Sequence, residues 1–199
     1  MNHNCHLDIG CNSNPRNPFN ASKLYGVDII DLETKSFSYH KCNLIFEKLP
    51  FSDSTFDSVS AYDFLEHVPR TATINNTGLF PFIHVMNEIY RVLKPEGIFY
   101  AITPGYPRSE AFVDPTHVNF ITKKTHTYFT SPKYKARMYG FTGKFKIIRK
   151  VKWVKLTQET KNDKWPLKTL KNIFYSIYFT KKSHLIWKFK ALKNEINHD

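Results

Sequence analysis

Glycine is scarce, with seven in 199 residues, and a single one follows the first apolar run, in Gly10-Cys11-Asn12-Ser13-Asn14-Pro15. A dinucleotide-binding turn uses G-x-G-x-x-G, because the later glycines admit the pyrophosphate and pack helix on strand. Pro15 also lacks an amide to donate, so a pyrophosphate cradle is disfavoured. Cysteine is sparse too. Cys5, Cys11 and Cys42 form no CxxC pair, no zinc-type array and no even disulfide framework. With no charged-then-apolar segment at the N-terminus, a reduced, cytoplasmic setting is the expectation. Long hydrophobic runs are missing as well. The longest strongly apolar stretch of the tail, "IFYSIYF" at 173–179, is far short of the ~20 residues of a membrane span. Acidic residues run out in the last third: residues 141–199 hold 15 of the 29 lysines and arginines but 4 of the 17 acidic residues. Almost all of the +12 net charge therefore lies there. That imbalance suits an anionic partner or surface, and equally a solvated lysine face that keeps the protein soluble.

What is present reads as one domain over residues 1–199, long enough to bury a substantial core. "HLDIG" (6–10) and "LYGVDII" (24–30) read as short buried strands joined by a turn-rich link. "TFDSVSAY" (55–62) is a further strand, with Phe56, Val59 and Ala61 as its apolar residues. In "FPFIHVMNEIYRVLKPEG", Phe82, Val85, Met86, Ile89, Val92 and Leu93 recur at helical spacing while Asn87, Glu88 and Arg91 face elsewhere. Pro95 and Gly97 stop that helix, and "GIFYAITP" (97–104) follows as a strand. "KFKIIRKVKWVKL" (144–156) and "SHLIWKFKALK" (183–193) alternate apolar with basic residues, as a closing antiparallel hairpin with a basic outer face would. The intervening 157–182 is too long for a hairpin loop and predicts a helical insertion starting near Pro166. The pattern is an α/β domain with a mostly parallel sheet, whose ligands sit beyond the carboxyl ends of the strands.

At those ends stand Gly10, which lets a ligand approach the backbone, and Asp28, placed where a carboxylate can accept both hydroxyl protons of a ribose. Asn12 can take the left-handed conformation in place of a glycine. "LDIGCNSNP", "GVDI", "LPFSDSTFDSVSAYDFLEHV" and "MNEIYRVLKPEGIFYAITP", in that order, resemble class I S-adenosylmethionine-dependent methyltransferases over residues 6–104. The resemblance implies a Rossmann-like, mostly parallel seven-stranded sheet whose last strand runs antiparallel, here with the N-terminal cover helices missing. It also implies S-adenosylmethionine, a cofactor without a pyrophosphate, for which one glycine suffices. Carried over by position, Asp8 would face the methionine amino group, and Gly10 with the Cys11-Asn12 backbone would pass beneath the homocysteine and ribose. Asp28 would hold the ribose hydroxyls and Ile29 would pack on adenine. Asn43 stands where the family commonly has an acidic residue on the exocyclic adenine nitrogen; Leu44 beside it and Tyr62 at the end of the third strand complete the expected binding set. Only five residues precede His6, so either an open site or a covering partner, a second copy included, is expected.

Methyl transfer is an in-line displacement, and a general base is needed where the acceptor holds its proton at neutral pH. The D/N-P-P-aromatic motif of nucleobase N-methylating relatives is replaced by Ala61-Tyr62-Asp63-Phe64, which argues against an exocyclic base amine. "EAFVDPTHVNFITKKTHTYF" (110–129) resembles a "DPTH" loop of methyltransferases from glycan pathways. His117 is the preferred base with Asp114 orienting it, against an alternative in which both only lock a loop through an Asx-type turn. His67, in the family's "EH", is a second base candidate or a brace for the helix. Asp114, His117 and His126 have metal-ligand chemistry, but three such residues in one segment are more often unconnected, and no metal is expected. The aromatics of the basic tail serve nucleic acid, an anionic lipid surface, or the core; alternation favours the core for Trp153 and Trp187. The expected reaction is methylation of a hydroxyl on a saccharide or related small metabolite. The alternatives are an RNA or lipid-linked acceptor, and a non-catalytic methyltransferase-like binding subunit.

Overall fold

A computed structural model gives the structure, and its described residues are 4–74, 76–155 and 182–193. The helix expected near Pro166 lies outside them. Nine strands and one α-helix are formed among the described residues: β1 (Cys5–Ile9), β2 (Lys23–Asp28), β3 (Ser38–Lys41), β4 (Phe56–Tyr62), β5 (Ala72–Ile74), β6 (Thr77–Leu79), α1 (Pro81–Val92), β7 (Leu93–Pro104), β8 (Phe145–Val154) and β9 (His184–Ala191). Seven of the strands make one sheet in the order β3-β2-β1-β4-β7-β9-β8, and β5 and β6 form a separate antiparallel pair. The first five positions of the large sheet are parallel, while β9 runs antiparallel to both β7 and β8. This is the wound sheet expected from the sequence, with the last strand reversed.

The period of two along each strand divides the sheet into two chemically different faces. On one, Leu7, Ile9, Val59, Ala61, Phe99 and Ala101 join a core with the buried stripe of α1, namely Phe82, Val85, Met86, Ile89 and Val92. Pro81 suits the first helical position, where its missing amide costs nothing. The other face carries His6, Asp8, Ser58 and Ser60, all fully buried, beside a smaller apolar cluster of Tyr62, Tyr100, Ile102, Val154 and Ile186. Phe19, from the link between β1 and β2, packs on that cluster. The link itself holds no helix, so the crossover between these parallel strands is made by irregular chain.

Two expectations are corrected. The helix ends at Val92 because Leu93 already takes extended angles and begins β7, so the strand starts before Pro95 rather than after it. Glu88, expected to face away from the core, is 4% exposed. Its Oε2 accepts the Leu49 amide at 2.8 Å and Arg91 Nη2 at 2.7 Å, and its Oε1 accepts Arg91 Nε at 2.8 Å. A buried carboxylate with three donors is tolerated where a lone one is not. Trp187 is fully buried and Trp153 half-buried, as alternation suggested. On β8, Lys146, Lys150 and Lys152 are exposed, which gives the hairpin its basic outer face. No helix among the described residues is long and apolar enough to cross a membrane.

Replacing Glu88 by Ala strands the Leu49 amide and part of the Arg91 guanidinium. Urea unfolding should show a loss of about 3 kcal/mol against wild type, and an unchanged midpoint would contradict this account of the buried pair.

Candidate functional site

The loops beyond the carboxyl ends of β1, β2, β4 and β7 meet at one end of the sheet. Gly10 has φ +68°, and a Cβ there would come within 3.0 Å of Phe64 Cδ2. Its amide and that of Cys11 both donate to the Val27 carbonyl, at 2.9 and 3.3 Å. Asn12 adopts the left-handed conformation anticipated for it, with φ +49°. Its amide donates to Asp28 Oδ2 at 2.8 Å, and the Ile29 amide donates to Oδ1 at 2.7 Å. An ionised carboxylate offers about four lone-pair sites, so each Asp28 oxygen keeps one for a ligand. Ile29 and Ile30, 61% and 39% exposed, form an apolar shelf alongside.

The other expected binding residues are placed less openly. The Cys11 side chain is fully buried, and a Cβ on Gly26 would meet its Sγ at 2.6 Å, which is why that strand position is a glycine. Asn43 is half-buried, and its Oδ1 accepts the Ile45 amide at 3.3 Å. Leu44 belongs to the core. Tyr62 is buried under the Arg16 guanidinium, 5.0 Å above its ring.

Past β4 and β7 a second group assembles. Glu66 and His67 lie in a short 3-10 turn (Leu65–His67), and His117 comes from the long loop after β7. The Val118 and Asn119 amides both donate to the Glu66 carbonyl at 2.9 Å, which ties the two loops together. One donor atom from each of Glu66, His67 and His117 lies within 4.8 Å of the others. The expected pairing of Asp114 with His117 is corrected here. Asp114 Oδ1 accepts the Thr116 amide at 2.8 Å and the Thr116 hydroxyl at 2.6 Å, as an Asx-type turn requires. These two bonds hold its pKa below the usual carboxylate value. The ring that Asp114 orients is His67, through Thr116 Oγ1, 2.9 Å from His67 Nδ1. His117 instead places Nδ1 3.3 Å from the Ala111 carbonyl. Glu66 is 1% exposed, and burial, the largest cause, raises its pKa to about 8. Its Oε2 accepts the Thr103 hydroxyl at 2.9 Å, while Oε1 has no hydrogen-bond partner and faces His117 Nε2 at 3.9 Å. His126 sits elsewhere, in the turn Thr125–Tyr128, with its ring 6.4 Å from Phe189.

None of Glu66, His67 and His117 lines the cavity of about 810 Å³ bounded by Arg70, Lys124, Lys133, Lys135, Tyr128 and Tyr139 among others. Arg70 connects it to the Glu66 turn, donating to Asn119 Oδ1 at 2.7 Å while Asn119 Nδ2 donates to the Leu65 carbonyl at 3.1 Å. The "EH" pair put Glu66 and His67 on the cleft floor from the sequence, whereas Thr116 and Arg70 were missed and join only through the fold.

Asp8 lies beneath the glycine turn, fully buried. Ser60 Oγ donates to its Oδ1 at 2.5 Å and the Arg16 amide to its Oδ2 at 2.8 Å, and Ser60 is in turn 2.9 Å from His6 Nε2. Both oxygens are thus engaged within the protein, and the residue pins the β1–β2 link to the sheet. Burial, outweighing these bonds, raises its pKa from 3.8 to about 7. The folded state therefore holds this proton across an interval in which the unfolded chain has released it. Stability contributed by Asp8 falls as pH rises from about 4 to about 7 and is level above that. Asp8→Asn should flatten that part of the profile, read as urea midpoints from pH 5 to 8 beside wild type; parallel profiles would show that the group is not the source.

Residues 7–101 match the sequence family described as "Methyltransferase domain". The chain is 30% identical over 108 residues to squalene methyltransferase 1 of Botryococcus braunii, a stretch covering 47% of this chain and 26% of that protein. It thus spans about a quarter of that relative's length. Among solved structures, a SAM-dependent methyltransferase from Archaeoglobus fulgidus superposes with a TM-score of 0.54 at 15% identity, over 95% of this chain and 87% of its own. The YcgJ protein of Bacillus subtilis gives 0.55 at 14% identity, over 98% and 94%. Phosphoethanolamine N-methyltransferase 1 of Haemonchus contortus, solved with phosphoethanolamine and S-adenosylhomocysteine, gives 0.57 at 10% identity, over 100% and 41%. Sheet order and family match agree: residues 7–101 match a methyltransferase domain, on a sheet with the fold of these solved methyltransferases.

Proposed function

We propose that this protein transfers a methyl group from S-adenosylmethionine to a hydroxyl oxygen of a saccharide or related small metabolite. The observation that carries the cofactor half is the Asp28 carboxylate, braced by two amides with lone pairs to spare, beside a glycine whose bare backbone leaves the approach open. That arrangement fits a ribose diol better than a pyrophosphate, since the turn offers few free amides. When bound, the cofactor supplies an electrophilic methyl on a sulfonium. Asp28 would take the ribose hydroxyls and Ile29 would flank the adenine, with Asn43 at its amino edge. Asp8 acts from below, holding the link in place rather than touching the ligand.

The acceptor half rests on the Glu66, His67 and His117 group and on the cavity linked to it through Arg70 and Asn119. Thr116 has one hydroxyl proton and gives it to Asp114, so His67 Nδ1 is the donor of their bond, which leaves Nε2 able to accept the proton of an acceptor hydroxyl. The resemblance of the "DPTH" loop to those of glycan-pathway enzymes supports a saccharide. The cations Arg70, Lys124, Lys133 and Lys135 around the cavity favour an acceptor that carries negative charge. The exposed lysines of β8 add an anionic partner or surface to this reading.

A second reading, a lipid-linked acceptor, is favoured by one feature. Tyr106, Phe112, Val113, Val118 and Phe120 are each at least 41% exposed on the loop that carries His117. In that case the protein should co-sediment with anionic vesicles and Phe112→Asp should abolish the association, whereas a soluble acceptor needs no such binding.

Calorimetry with S-adenosylhomocysteine tests the proposal. Asp28→Ala should weaken binding at least tenfold, about 1.4 kcal/mol. An affinity equal to wild type, or no heat from wild type at about millimolar ligand, would overturn it.

A further inference from the structure

We propose that Glu66, His67 and His117 form a binding site for one borderline transition-metal dication of the Zn²⁺ or Co²⁺ kind. The reasoning starts from protons. His67 donates from Nδ1, because Thr116 has already given its only hydroxyl proton to Asp114. His117 donates from Nδ1 as well, because the atom opposite is the Ala111 carbonyl, which can only accept. Each neutral imidazole therefore keeps an electron pair on Nε2. The third member, Glu66 Oε1, is buried with no hydrogen-bond partner, 3.9 Å from His117 Nε2. One candidate ligand atom from each of the three residues thus lies within 4.8 Å of the others. A dication among them would engage the partnerless Glu66 Oε1 together with both rings.

The surroundings are those of a ligand set. Metal-binding histidines nearly always donate their other ring N–H to a carbonyl or carboxylate, which fixes the tautomer. Here Ala111 does this for His117 directly, and Asp114 does it for His67 through Thr116. Glu66 Oε2 is held by Thr103, so only Oε1 is left to turn toward an ion. Two imidazoles and one carboxylate suit Zn²⁺, Fe²⁺ or Co²⁺ rather than Mg²⁺ or Ca²⁺, and leave at least one position to an outside oxygen. Donors about 2.1 Å from a shared ion stand roughly 3–3.5 Å apart. The set differs from the Asp114, His117 and His126 trio considered from sequence, since His126 is not among the close donors and Asp114 serves from behind.

The same lone pairs were given above to proton acceptance, so this inference refines the acceptor half of the methyl-transfer reading and leaves the cofactor half aside. The untagged full chain, stripped with a chelator, is titrated with Co²⁺ and followed by visible absorption. One ion per chain is expected, displaced by Zn²⁺. His67→Ala and His117→Ala should each weaken binding at least 100-fold, and Thr116→Val, which removes no donor, about tenfold. Glu66→Gln keeps the size of the side chain and the acceptor for Thr103, and serves if a histidine variant loses its circular dichroism; it should weaken binding at least tenfold. No saturable uptake by wild type, or equal affinity in the His67→Ala/His117→Ala double variant, overturns the site. The S-adenosylhomocysteine titration is independent of either result, so a failed metal site and a failed methyltransferase reading look different.

Discussion

The bond from the Asn12 amide to Asp28 Oδ2 is the constraint on which the cofactor end of the sheet depends. It runs from the loop after β1 to the tip of β2, and it forms only because Gly10 and Asn12 both hold left-handed angles that turn the amide outward. Most side chains pay about 1 kcal/mol or more for such angles, glycine and asparagine least. The Asp28 carboxylate compensates by accepting that amide, so turn and carboxylate fix each other. Asp8 completes the arrangement from the opposite side by anchoring the Arg16 amide. A loop without a helix is in this way held at two points by two carboxylates of very different exposure.

Much of this architecture is legible in the chain itself. The apolar runs of β1, β4 and β7 and the stripe of α1 predict their elements because each buries one continuous face. The reversed pairing of β8 and β9 follows from alternation. What escapes is local chemistry that depends on distant partners. β3, of four residues with little buried surface, has no pattern to announce it. The burial of Glu88 is set by the Leu49 amide 39 positions away. The cleft-floor position of Glu66 is legible from the "EH" pair, but its bond to Thr103 is not.

The site divides along the same line. Gly10 and Asp28 were identifiable because strand ends in a parallel sheet are a known address for ligands. The partner of Asp114 was not, since an Asp-Pro-Thr-His segment can serve its own turn or the next histidine with equal ease. Folding chose the turn, and the carboxylate reached a ring from another loop instead. The polar face of the sheet has a related logic. His6, Ser58, Ser60 and Asp8 satisfy one another in a chain of hydrogen bonds, which lets a sheet face with so little apolar area stay dry.

The position of β9 bears on how the polypeptide assembles as it leaves the ribosome. β8 is made first, yet its place in the sheet is one strand removed from β7, and the slot between them is filled only by β9. Lys193, just beyond β9, also secures the junction of α1 and β7 through the Arg91 and Leu93 carbonyls. The sheet thus keeps an unpaired β7 edge until β9 itself has been made and takes the slot.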